Sequence, residues 1–123
     1  MTEPETPALD EITLPEPLDD VVEAMRAKKA EALTLLDLRE SGAFTDYFLI
    51  CSGRSTRQVK AITDGILETL KILDRRPAHI EGQATSDWVL IDCFDFIVHV
   101  FTPETRSFYA LERLWGNSRE VDV

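Results

Sequence analysis

Residues 86–101 read SDWVLIDCFDFIVHVF, and this stretch restricts the architecture more tightly than any other. Trp88 to Asp92 and Phe96 to Phe101 are rich in β-branched and aromatic residues and are separated by only three positions. Two such runs form a hairpin. With Cys93 and Phe94 as its loop, Asp92 faces Asp95, Ile91 Phe96, Leu90 Ile97, Val89 Val98 and Trp88 His99. Side-chain alternation then sorts two faces. Val89, Ile91, Phe96, Val98 and Val100 make one that is wholly apolar and belongs under helices. Trp88, Leu90, Asp92, Asp95, Ile97, His99 and Phe101 make the other. Two neighbouring carboxylates in a dry interior would cost on the order of several kcal/mol each unless paired. An apolar centre with a Trp and an acidic rim suits protein docking. It equally suits a Trp covering the sheet edge beside turn aspartates.

The rest of the chain alternates helical and extended patterns. Pro17, Asp19 and Asp20 suit a helix start, and Leu18, Val21, Val22 and Met25 share a face up to about Lys29. Leu33–Leu38 and Asp46–Cys51 are short apolar runs around Glu40, Ser41 and Gly42, hence two strands. Ser55 and Gln58 form a capping box before a helix whose face holds Val59, Ile62, Ile66, Leu70 and Leu73 and which stops before Pro77. A short strand is expected at His79–Glu81. Thr102, Pro103 and Glu104 open a last helix, expected to end near Gly116. The order predicts an α/β fold with a mixed, largely antiparallel sheet packed with helices.

The 123 residues suffice for one domain. No apolar run approaches the roughly 18 residues a membrane span requires, and no signal segment opens the chain, so a cytoplasmic protein is expected. Cys51 and Cys93 are far apart and outside any Cys-x-x-Cys pair, which predicts reduced thiols and no metal site. The net charge of −10 is uneven: residues 1–23 hold eight acids and no Lys or Arg. The expected organisation is an acidic disordered arm over 1–16, a domain over 17–116 and a flexible tail over 117–123. From Pro77 to Thr105 there is again no Lys or Arg, while Glu81, Asp87, Asp92, Asp95 and Glu104 are present.

Two features invite catalytic or nucleotide chemistry. His99 sits on the aspartate-bearing face, but no Ser or Cys nucleophile is placed beside it, so a hydrogen-bonded structural histidine is expected. CSGRST places Gly53 and Ser55 at a helix start, where Arg54, Arg57 and Lys60 could bind phosphate or RNA, or simply be solvated. A divergent nucleotidyltransferase would need metal-binding carboxylates. Asp92 and Asp95 flank a turn instead of standing as Asp-x-Asp on one strand.

The runs DYFLICSGRSTRQVKAI (46–62), HIEGQATSDWVLID (79–92), DFIVHVF (95–101) and FYALERLW (108–115) resemble the ribosomal silencing factor family, RsfS or Iojap. The resemblance covers residues 18–115 and implies a nucleotidyltransferase-like fold without the enzyme's activity. It further implies binding to ribosomal protein uL14 on the intersubunit face of the large subunit, which blocks joining of the small subunit and represses translation when nutrients are scarce. No cofactor, membrane or sequence-specific nucleic acid is implied. The family's contact motif falls on Trp88–Asp92. Alternation narrows it to Trp88, Leu90 and Asp92, with Glu81, Asp95, Ile97 and His99 as neighbours. A homodimer is a further expectation from the apolar sheet face. Two positions depart from the family: Phe94 stands where Gly is usual, and Gln58 where His is usual.

Overall fold

In the computed structural model, residues 14, 16–40, 45–109 and 119–121 are described. The elements run α1 (Leu18–Ala27), β1 (Glu31–Asp37), β2 (Tyr47–Ser52), α2 (Thr56–Ile72), β3 (His79–Glu81), β4 (Trp88–Asp92), β5 (Phe96–Phe101), α3 (Pro103–Tyr109) and β6 (Arg119–Val121). The strands form one sheet in the order β3-β4-β5-β2-β1-β6. β2 and β5 are parallel, whereas β1–β2, β1–β6, β3–β4 and β4–β5 are antiparallel. This is the mixed, largely antiparallel α/β fold expected.

Helix α2 forms where its spacing said it would. Ser55, in an extended conformation, accepts from the Gln58 N–H at 3.2 Å, satisfying one of the free donors of the first turn. Gln58 then departs from the capping box. Its Oε1 takes the Arg54 N–H at 2.7 Å, and its Nε2 donates to the carbonyls of Lys28 and Lys29. One side chain thus ties the end of α1 to the start of α2. The apolar faces of both helices, Leu18, Val21, Val22 and Met25 with Val59, Ile62, Ile66 and Leu70, close on Leu35, Leu49, Cys51, Val89, Ile91, Val98 and Val100. Leu14 also packs against this core. The other expectations for the acidic arm, and the end of the last helix near Gly116, lie outside the described residues.

Two expectations change. Residues 119–121, placed in a tail, supply β6, which pairs Leu35 with Val121. The β4–β5 register is also displaced by two residues. Asp92 pairs with Ile97, Ile91 with Val98, Leu90 with His99 and Trp88 with Phe101. Cys93 N–H donates to the Phe96 carbonyl at 2.9 Å, so the two-residue loop is Phe94–Asp95 instead of Cys93–Phe94. The reason is the turn itself: Phe94 takes φ 70, and its N–H is held by Asp92 Oδ1 at 3.0 Å. A shift of two residues leaves every side chain on its face, so the division into a helix-covered and an opposite face stands.

Candidate functional site

The face opposite the two helices carries its own cluster: Leu36, Leu38, Phe48, Ile50, Ile97 and Phe101, with Trp88 and Leu90 packed against it. β2 and β5 are internal to the sheet and buried along their whole length. Ile97 and His99, expected as neighbours on an open surface, are therefore only 4% and 3% exposed and present no surface of their own. The accessible part of the face is the margin formed by β4 and β3. Trp88, Leu90 and Asp92 are half-buried, and Glu81 and Asp95 are exposed.

The connection from β3 fixes how β4 begins. Gly82 has φ 88, and a Cβ there would collide with the carbonyl of Trp88, so only glycine lets the two backbones approach. Ser86, also at positive φ, is buried, with its N–H on the Gly82 carbonyl at 2.9 Å and its Oγ on Gln83 O at 3.2 Å. The Thr102 N–H on Asp87 O at 3.0 Å fastens this loop to the end of β5. Trp88 is placed next in line. Its indole stacks on Phe101, with centroids 5.0 Å apart and planes at 27°. Its Nε1–H donates to His99 Nδ1 at 3.0 Å.

That bond identifies the histidine's state. Nδ1 accepts, so the neutral ring carries its proton on Nε2, a buried atom with no hydrogen-bond partner among the described residues. Burial lowers the pKa of His99 to about 4. A neutral ring wedged against Phe48 at 4.8 Å is the structural histidine anticipated, not a solvent-facing base.

Register places His79 opposite Asp92 and Glu81 opposite Leu90, so β3 borders the Trp88 face. His79 and Glu81 are joined at 2.7 Å. Asp92 spends one oxygen on the Phe94 turn. Among the described residues, no group of three or more His, Cys, Asp or Glu could hold a metal ion. Cys51 and Cys93 are free thiols, each pushed by burial to a pKa of about 12.

The helix start that suggested phosphate binding is largely occupied by the protein itself. A Cβ on Gly53 would lie 2.9 Å from the Val59 nitrogen, so this glycine serves close packing against α2. Ser55 Oγ takes up the Gln58 N–H and Gln58 Oε1 the Arg54 N–H. Arg54 pairs with Glu31 at 2.8 Å and Lys60 with Asp64 at 2.9 Å, and Arg57 is exposed. Sequence reasoning missed Gly82 and the cross-helix bonds of Gln58. A glycine six residues before the Trp was a usable signal for the first.

The accessible margin of this face is thus aromatic and acidic. The model of a family described as "Ribosomal silencing factor during starvation" matches residues 11–123. Ribosomal silencing factors of Zymomonas mobilis and Bacillus subtilis are 39% and 40% identical over 102 and 96 residues, covering 83% and 78% of this chain and 77% and 81% of theirs. A Mus musculus protein named for mitochondrial assembly of the large ribosomal subunit is 34% identical over 101 residues, 80% of this chain and 44% of its own. Crystal structures of proteins from Chromobacterium violaceum and Bacillus halodurans superpose with TM-scores of 0.80 and 0.78 at 30% and 36% identity. They cover 85% and 88% of this chain and 88% and 98% of those proteins. The chain belongs to the ribosomal silencing factor family.

Proposed function

We propose that the protein docks through the β3–β4 margin onto ribosomal protein uL14 of the large subunit and prevents the small subunit from joining, repressing translation under nutrient limitation. The observation that carries the reading is the half-buried row Trp88, Leu90 and Asp92, set in a segment without a single Lys or Arg from Pro77 to Thr105. An aromatic anchor supplies desolvated area, and the carboxylates select a basic partner. Glu81 and Asp95 extend the acidic rim, while Ile97 and His99 support it from below. The action is steric and cytoplasmic, with no chemical turnover. Neither Asp92, which caps its own turn, nor the neutral His99 is arranged as a catalytic group.

Co-sedimentation with isolated large subunits tests this directly. The parent protein is expected to pellet with them and to inhibit formation of joined ribosomes, and Trp88→Ala to do neither while remaining folded by circular dichroism. A folded Trp88→Ala protein that binds like the parent would move the docking surface elsewhere. Nucleotide turnover with Mg²⁺ that disappears in Asp92→Asn would overturn the noncatalytic reading.

A further inference from the structure

At the tip of the β4–β5 hairpin stands Phe94, 73% exposed and at φ 70. Each property is unfavourable by itself. A bulky side chain in the left-handed region is strained, and glycine adopts it freely. An aromatic ring in water forgoes the burial that would repay it. Ile72 is equally exposed, but it sits in ordinary helix, and single surface hydrophobics of that kind need no explanation. At Phe94 the two costs coincide, and the fold returns little for the ring.

The strained turn is nonetheless firmly held. The Phe94 N–H donates to Asp92 Oδ1 at 3.0 Å, and the Phe94 carbonyl accepts from the buried Thr45 hydroxyl at 2.9 Å. The Asp95 N–H donates to Cys93 O at 2.8 Å, and Asp95 O accepts from the Asp46 N–H at 3.0 Å. Strain persists where the surroundings over-determine it, and here they fix the backbone that carries an exposed aromatic.

The geometry points to Phe94 as a second anchor of the docking surface, inserting into an apolar recess on a large-subunit protein that also presents lysine or arginine. This rests on the function proposed above. Asp46 and Asp95 are exposed beside it and Asp92 half-exposed, so the tip favours a cationic surround, although Arg75 and Arg76 border the side toward α2. Six residues of strand separate Phe94 from Trp88, about 20 Å. Both anchors fit within one interface of about 800 Å² per partner. Pre-fixing the turn lowers the ordering cost of binding.

The test measures thermal midpoint, affinity for isolated large subunits and the sedimentation of the free protein for the parent, Phe94→Gly, Phe94→Tyr and Trp88→Ala. Phe94→Gly is expected to melt no lower than the parent, because glycine relieves the positive φ, and yet to bind at least about tenfold more weakly. Phe94→Tyr should bind within about threefold of the parent. Parent-like binding by Phe94→Gly, with Trp88→Ala deficient, overturns the second anchor alone. A parent that does not bind large subunits overturns the underlying function as well. A Phe94→Gly midpoint several degrees lower would make the ring a packing element. Conversion of a free dimer to a monomer would make its recess part of a second copy of this chain. Either result overturns the proposal.

Discussion

Trp88 Nε1–H and His99 Nδ1 meet at 3.0 Å, so the residue proposed to contact the partner is oriented by one that is itself out of reach of solvent. The bond works only while the imidazole is neutral. Protonation would place two N–H donors against each other.

Stability should therefore fall with acid. The folded pKa of about 4 lies below the ordinary value near 6.5, so between these values the unfolded chain binds the extra proton. The contribution of neutral His99 is complete above pH 6.5 and is lost as pH falls toward 4, by on the order of 3 kcal/mol. Thermal melts from pH 7 to 4 are expected to show this slope, and His99→Gln, which can still accept from the indole, to flatten it. Equal slopes would mean that His99 is not held neutral.

The division of the hairpin into two faces predicts opposite failures. Val98 is fully buried beneath the helices, and Val98→Asp should abolish the cooperative melt by burying an unpaired charge. Trp88→Phe keeps most of the stack on Phe101 while removing the Nε1 donor. It should remain folded with a loss of about 1 kcal/mol. Circular dichroism melts of the two variants check this.

Gly82→Ala should be among the costlier small substitutions. The added methyl meets the Trp88 carbonyl at a φ that disfavours any Cβ, and a loss of about 1–3 kcal/mol is expected. Denaturant unfolding measures it. The indole fluorescence should shift as β4 is displaced.

Gln58→Ala removes one acceptor for Arg54 N–H and the donors to Lys28 and Lys29 carbonyls. All are exposed, so water replaces them in part, and about 1 kcal/mol is expected. Amide exchange should quicken at Arg54 and around the end of α1, and stay unchanged in β4.

What could be read in advance followed short-range rules. The capping Ser55, the apolar spacing along α2 and the alternation in β4 and β5 are each written within a few residues, and the structure follows them. The hairpin register was not legible because Phe94 adopts a backbone conformation its side chain disfavours, and nothing local announces that Thr45, 49 positions away, will help hold it. Burial of Ile97 and His99 was hidden for a similar reason. It depends on strand order, which placed β5 inside the sheet with Trp88 lying across Phe101. Strand β6 is too short to carry a pattern. Its pairing with Leu35 is set by the fold.

The parallel contact of β2 with β5 has a bearing on how the chain assembles. β1 with β2, and β3 through β5, are pairings between sequence neighbours, which close small loops at little entropic cost. Among the described residues, β2–β5 is the one parallel junction, and it joins those two local units across the whole of α2. Non-local pairing is the slow part of folding. The meander that bears Trp88 and Phe94 can therefore take shape as a unit before it is welded to the rest, with the hydroxyl of Thr45 reaching the hairpin tip only when that weld is made.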